Sequence, residues 1–314
     1  MVKIVVPHQA ILVRLVNVNN KETILPSIPA SLGTCNFYFD AQNGLYMPSP
    51  PDLEQWTDQS GYQYGTGFTN AFDRDATDVE HRVSSTVQLS TGRDAEYVWF
   101  GGSEGKACMH AQASGADEPP NLPFTGSYTS GGTTYHPFYD FYLIAGVEGT
   151  DQHSNNCWLF LHGPYAQSPN NIGGVVPNYA IHVFSNGQSP SGLTMRAMVG
   201  GYYADYHLPS DNIGEDVWKL YHVSFSRTSI KIHQGTVQKA TATANLSNMP
   251  VGTHGRIGAN YNPYWGSGDP RGIMFMMGFA SLTANHSASQ ISDATDYLVK
   301  DMYSGGSGGG GELL

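Results

Sequence analysis

The sequence predicts an all-β chain: an antiparallel β-sandwich with a β arm before it and a short helix after it. Three observations carry that prediction. First, Asp216-Val217-Trp218-Lys219-Leu220-Tyr221-His222-Val223-Ser224-Phe225 alternates apolar and polar residues, as a half-buried strand must. Ser226-Arg227-Thr228 then turns the chain, Ser229-Ile230-Lys231-Ile232-His233 alternates again, and Gln234-Gly235 makes the next turn. Second, further strand-forming runs recur at 34–39, Arg82–Leu89, Glu96–Phe100, Lys106–Gln112, Phe138–Ile144, Cys157–His162, Tyr179–Phe184 and Leu193–Val199, divided by stretches rich in Gly, Pro, Asn and Ser. Third, only 13% of residues are charged while Gly numbers 37 and Tyr 19, which suits turn-rich β structure and excludes a charge-rich disordered chain.

The 314 residues, 40% hydrophobic, are enough for a large core. Sandwiches of about 250 residues form single domains, so length alone does not demand two. Residues 1–34 are expected to form an arm, 35–303 one sandwich, and 304–314 a Gly-rich tail. Within the arm, Ala10–Val18 is strongly β-forming, Asn19-Asn20-Lys21 turns, and Pro26 and Pro29 hold an extended segment. Such an arm either packs on its own sandwich or crosses to a neighbouring copy. A helix is expected from about Ser289 to Met302.

The formal net charge of −11 and the lack of a Lys/Arg cluster exclude nucleic acid as a partner. No stretch approaches the roughly 20 apolar residues of a membrane helix. Pro7-His8-Gln9 and Arg14 interrupt the first apolar runs, so no secretory signal is expected. Cys35, Cys108 and Cys157 cannot all pair within one chain, which suits free thiols and cytoplasmic synthesis.

Downstream of Ser229–His233 come Arg256-Ile257-Gly258-Ala259-Asn260, Gly272-Ile273-Met274-Phe275, Gly278-Phe279-Ala280-Ser281 and Ala288-Ser289-Gln290-Ile291. That order, from Asp216 to Ile291, resembles the C-terminal half of concanavalin A-like (laminin G/pentraxin-type) jelly-roll domains. There a Trp-led strand, a hairpin, an Ile-Gly strand and a Gly-Phe strand precede a short Ser-x-x-Gln-Ile helix. The resemblance implies a lectin-like jelly roll, a scaffold that binds at least as often as it catalyses.

Catalytic motifs are weak. Gly101-Gly102-Ser103-Glu104-Gly105 fits the G-x-S-x-G pattern of a hydrolase nucleophile elbow, but that elbow must lead into a helix. Lys106-Ala107-Cys108-Met109-His110 reads as a strand, so a Gly-rich hairpin is expected instead. Retaining glucanases of the resembling superfamily carry a Glu-x-Asp-x-Glu strand that holds two carboxyls about 5 Å apart. The sequence has no such triplet. Ile181-His182-Val183 only faintly echoes the Gln-x-His strand of jelly-roll alginate lyases. The chain is therefore expected not to be an enzyme.

Asp73, Asp75, Asp78 and Glu80 form the one acidic run with calcium-ligand chemistry, though a solvated acidic loop explains it as well. Cys108, His110, His153 and Cys157 have zinc-ligand chemistry without the tight Cys pairs of structural zinc sites. No cofactor is otherwise expected, and the remaining histidines read as ordinary core or surface residues. Two aromatic clusters are the candidate binding residues: Tyr202, Tyr203, Tyr206 and His207, then Tyr261, Tyr264, Trp265 and Asp269. A flat ring beside Asn, Asp or Gly suits the apolar face and hydroxyl rim of a sugar. Tyr and Trp equally suit a protein interface or plain loop packing.

Taken with the resemblance, these features lead to a non-enzymatic lectin-like structural or attachment protein of a virus particle, a capsid decoration or a tail or fibre component. It would be made in the host cytoplasm and assemble through arm and tail with other virion subunits or copies of itself, its loops free for host-surface glycans. The alternative is a stand-alone carbohydrate-binding lectin, or less plausibly a jelly-roll glycanase or polysaccharide lyase.

Overall fold

The computed structural model describes the backbone of 14–16, 22–24, 30–41, 45–46, 53, 55–57, 63–64, 68–69, 71–74, 81–88, 94–100, 108–112, 128–130, 133–135, 138–148, 157–163, 179–185, 192–212, 217–246, 254–259 and 273–303. Two antiparallel sheets dominate these residues. One has eight strands: Val237–Thr243, Ser229–Gln234, Lys219–Ser226, Phe138–Glu148, Ile273–Thr283, Asp94–Phe100 and His81–Gln88 in spatial order, with Thr34–Asp40 also paired to Ile273–Thr283. The other has nine: Tyr202–His207, Leu193–Val199, Tyr179–Ser185, Cys157–Gly163, His254–Ala259, Cys108–Gln112, Ala71–Arg74, Gln55–Thr57 and Leu45–Tyr46.

The expected strands are present. The two short runs around Gly272 and Gly278 are one continuous strand, Ile273–Thr283, with a register shift opposite Ile144/Ala145. The expected Gly-rich hairpin at Gly101–Gly105 is not a hairpin. Its flanking strands, Asp94–Phe100 and Cys108–Gln112, belong to different sheets and do not pair with each other, while 101–107 lie outside the described residues. Ser114 to Pro137, too long for one hairpin loop, contains a small ribbon of its own, Tyr128–Ser130 against Thr133–Tyr135. Asp73 lies within the Ala71–Arg74 strand rather than in an acidic loop, while Asp75, Asp78 and Glu80 lie outside the described residues.

The core follows from strand periodicity. In Phe138–Glu148, Tyr139, Phe141, Leu143 and Ala145 face the nine-stranded sheet, where they join Tyr179, Ile181, Met195, Ala197 and Trp56 in one buried cluster. Phe141 sits at its centre, 5.5 Å from Phe225, 6.1 Å from Phe37 and 6.4 Å from Tyr179. The alternate residues Tyr142 and Ile144 are buried too, in a second cluster with Tyr38, Trp218, Leu220, Ala280, Leu282 and Ala294. A strand buried on both faces needs cover on both. Here the second cover includes Ile291 and Ala294 of the Ala288–Tyr303 helix and Leu32 of the 3-10 turn Ala30–Leu32.

That helix starts as its sequence dictates. Ser287 and Gln290 form a capping box: the Gln290 amide donates to Ser287 Oγ (3.4 Å), and the Ser287 amide to Gln290 Oε1 (3.0 Å). The expected arm is joined to the sandwich at its C-terminal end by buried Leu32. Further back, Arg14–Val16 pairs with Glu22–Ile24 and, among the described residues, with neither large sheet. The Gly-rich tail 304–314 lies outside the described residues.

Gly200 and Gly201, at φ +53° and +89°, join Leu193–Val199 to Tyr202–His207 through the two-residue turn that positive φ at both positions favours. A Cβ on Gly200 would lie 2.7 Å from Leu246 Cδ2, whereas one on Gly201 meets nothing within 4 Å. Gly200→Ala is expected to cost at least about 1–2 kcal/mol in urea denaturation, and more than Gly201→Ala. Equal losses would show that Leu246 does not constrain the turn.

Candidate functional site

Because side chains alternate along a strand, the Gly200-Gly201 turn sets Tyr203, Asp205 and His207 on the outer face of the nine-stranded sheet. Opposite them on Leu193–Val199 stand Met198, Arg196 and Thr194. Arg196 donates from Nε and from Nη2 to the two Asp205 oxygens at 2.6 and 2.7 Å, and its Cζ lies 3.9 Å from the Tyr203 ring centroid. Those bonds to Asp205 hold the Arg196 guanidinium above its ordinary pKa. His207 Nδ1 is 2.8 Å from Thr194 Oγ1. Register continues the row inward from Asp205 through Arg196 to His182 and Trp158.

Exposure singles out this hairpin. Among the described residues the exposed large apolar side chains are Tyr202 at 36%, Tyr203 at 50% and Val237 at 57%, and two of the three are neighbours here. Tyr203 keeps half its surface in water while one ring face is braced by a guanidinium that Asp205 holds in place. The contact is worth about 0.5–1 kcal/mol at an exposed site, so it orients the ring more than it stabilises the fold. Tyr202 bonds the Asn245 carbonyl at 3.3 Å.

Two expectations about these residues change. Tyr202 to His207 form an edge strand, not a loop. Tyr206 points inward: it is 9% exposed and donates to Gln234 Oε1 at 2.9 Å, while Asn212 Nδ2 donates to both the Tyr206 hydroxyl (3.2 Å) and Gln234 Oε1 (2.7 Å). This triangle joins the two sheets at their shared edge, and it turns Tyr206 toward the core, away from Tyr203. Tyr261, Tyr264, Trp265 and Asp269 lie outside the described residues. Of the zinc candidates, Cys108 and Cys157 sit opposite Gly258 and Ala259, on the two neighbours of one strand, and His153 lies outside the described residues.

A second constellation, not singled out in the sequence, lies on the far side of the eight-stranded sheet under the helix. Asp140 Oδ1 is 2.6 Å from His222 Nε2, and Asp140 Oδ2 accepts the His286 amide at 3.1 Å. His222 Nδ1 meets His233 Nδ1 at 3.1 Å. His286 Nε2 lies 2.7 Å from the Leu32 carbonyl, which can only accept, so Nε2 carries a proton and Nδ1 is the bare nitrogen of the neutral ring. The Tyr142 hydroxyl then donates to that Nδ1 at 2.6 Å. The Asp140, His222 and His286 side chains are at most 1% exposed, and their nitrogen and oxygen atoms lie within 4.8 Å of one another. The set clamps helix start, sheet and Leu32 together. Its partners lie 82 and 146 residues apart in sequence, which hides it from any local pattern.

Two histidines resist protonation in the folded chain. Burial, helped by the Arg196 charge, lowers His182 to about 3. Burial, helped by His222 and Lys231, lowers His233 to about 4. The unfolded chain binds their protons near 6.5, so stability is full above that pH and is lost as pH falls toward 4 and 3. Between pH 6.5 and 5 each histidine is expected to remove about 2 kcal/mol. Urea denaturation at pH 7 and pH 5 checks this, and an unchanged midpoint would contradict it.

No family profile and no curated protein matches the sequence. Solved structures do match the fold. A structure of botulinum neurotoxin type C, whose access to cells depends upon interaction with two ganglioside molecules, superposes with a TM-score of 0.52 at 9% identity, over 84% of this chain and 51% of that one. A mutant of HCR/D gives 0.51 at 8% identity, over 86% of this chain and 53% of that one. This chain therefore spans about half the length of the structures it matches, and the likeness is one of fold. It is an antiparallel β-sandwich.

Proposed function

We propose that this chain is a glycan-binding module, a lectin rather than an enzyme, and that the outer face around Tyr203, Arg196, Asp205 and His207 takes the sugar. The observation that carries this reading is the half-exposed Tyr203 ring braced by the Arg196–Asp205 pair. A ring held flat offers its open face to the C–H side of a pyranose without losing side-chain freedom on binding. Asp205 and His207 stand on the same face to meet the hydroxyl rim. The fold supports the reading as an associational argument, because lectin-like sandwiches host binding sites on their faces and rims. The concanavalin A-like superfamily is the finer assignment we infer for it.

Isothermal titration with a glycan selected on an array tests the site. Tyr203→Ala is expected to weaken binding at least about tenfold, a loss of about 1.4 kcal/mol. Its melting temperature should stay within a few degrees of wild type, since the ring is half exposed. Unchanged affinity would remove this face from consideration.

A second reading has its own observation. The Arg14–Val16 and Glu22–Ile24 strands pair with each other and, among the described residues, with neither large sheet. That suits an arm for assembly, and with it the role of an attachment subunit in a virus particle, joined to other virion subunits or to copies of itself. Sedimentation of the purified chain tests it: a concentration-independent monomer that keeps its fold after the arm is cleaved away contradicts it.

A further inference from the structure

The cluster beneath the helix has the chemistry of a metal centre. We propose that Asp140, His222 and His286 bind one divalent transition-metal ion of the zinc class, with the Tyr142 hydroxyl beside the fourth coordination position. Two imidazoles and one carboxylate are the donor set such an ion takes, whereas calcium needs six to eight oxygens and would find one carboxylate here.

The orientation of the ligands is the second, independent observation. A metal-binding histidine usually gives its other ring N–H to a carbonyl or other acceptor, which turns the bare nitrogen toward the ion. His286 does this through Nε2 to the Leu32 carbonyl at 2.7 Å, so Nδ1 faces Asp140 Oδ2 from 3.8 Å. His222 is fixed differently: its Nε2 faces Asp140 and its Nδ1 meets His233, a contact in which Nδ1 accepts in the metal-free chain and would donate once an ion holds Nε2. The groups come from three separate places, the Phe138–Glu148 strand, the Lys219–Ser226 strand and the residue just before the helical cap. Their burial is complete, yet the segment carrying His286 has exposed neighbours in Asn285 and Ser287. That segment is the side from which an ion would enter.

The protons balance. In the metal-free chain the His222 Nε2 proton lies on the line to Asp140 Oδ1, and the His233 Nδ1 proton bonds His222 Nδ1. An ion takes the place of the first. His222 then carries its proton on Nδ1 and donates to His233 Nδ1, and His233 carries its own on Nε2. Both rings remain neutral, and the pair releases no net proton. Tyr142 gives up its bond to His286 Nδ1 and keeps its hydrogen. Tetrahedral ligands about 2.0–2.2 Å from zinc stand about 3.4 Å apart. The ligand atoms, which lie within 4.8 Å of one another, must therefore draw in by up to about 1.4 Å, while the 2.6 Å contact between His222 and Asp140 Oδ1 opens by less than an ångström.

The experiment uses the full chain after chelator treatment. Zinc chloride is titrated by calorimetry, and cobalt(II) chloride by visible absorption. The expected result is one equivalent of zinc, a higher melting temperature with the ion, and tetrahedral cobalt bands without the charge-transfer band of a thiolate. His286→Gln and His222→Gln should abolish that equivalent, whereas His207→Gln on the opposite sheet should keep it. The absence of a one-equivalent site, a site untouched by His286→Gln, or a thiolate band would overturn the proposal. Should the glutamine variants fail to fold, the wild-type cobalt spectrum still decides, because Cys108 or Cys157 ligation would carry sulfur bands.

Discussion

Phe141→Ala is expected to lower unfolding free energy by about 3–5 kcal/mol, the range for removing a fully buried Phe from a core that cannot collapse around the void. Phe141 is 1% exposed and touches rings from both sheets: Phe37 and Phe225 in its own, Tyr179 across the gap. Rings of two sheets cannot close on the space without moving the sheets together, so little of the cavity is recovered. Tyr179 adds an edge-to-face contact to Tyr139 at 5.6 Å, which the same shift would disturb. Urea denaturation followed by tryptophan fluorescence measures the loss. A cost near 1 kcal/mol would show that the sheets are more loosely packed than these distances imply.

Asp140→Ala is expected to cost a similar amount, about 3–5 kcal/mol, for a different reason. Its carboxylate is 0% exposed and accepts from the His222 ring at 2.6 Å and from the His286 amide at 3.1 Å. Alanine leaves both donors buried without an acceptor. Asp140→Asn keeps an oxygen for one of them and should lose less. The damage should also be local, because His286 leads into the helix: amides of the Ala288–Tyr303 helix should exchange faster in Asp140→Ala while those around Phe141 hold. Uniform acceleration across the chain would contradict the view of Asp140 as a clamp on the helix.

Much of the fold was legible because it is written in short-range patterns. Alternation from Val217 to Phe225 and again from Ser229 to His233 located adjacent strands, and Ser226, whose Oγ accepts the Ser229 amide at 2.9 Å, makes the turn between them. The helix was expected from about Ser289 and starts at Ala288, behind a Ser287/Gln290 capping box that is itself a short-range pattern. Partner choice between strands was not legible: nothing near Gly101–Gly105 says that the chain changes sheets there. The hairpin at Gly200-Gly201 was legible in principle, since paired glycines between alternating runs favour a two-residue turn. Counting from it in steps of two puts Tyr206 on the side of Ala204, facing the core, and Tyr203 on the side of Asp205. Arg196, which gives Tyr203 its support, stands out only once the register is known. The Asp140, His222, His233 and His286 set is longer-ranged still. Each histidine looked ordinary alone, and only the stacking of three strands and a helix brings them to one carboxylate.

The two candidate regions lie on opposite outer faces of the sandwich and make separate claims. The helix-covered face buries its Asp140, His222 and His286 side chains beneath the Ala288–Tyr303 helix. The Tyr203 face keeps its aromatic and charged groups at the surface, which is the arrangement a binding face needs. The most direct measurement is hydrogen exchange of the intact chain with and without the glycan that it retains on an array. Binding at the Tyr203 face predicts slowed exchange across Leu193–Val199 and Tyr202–His207, with the helix-covered face unchanged. Protection confined to other strands, or no glycan retained at all, would contradict it.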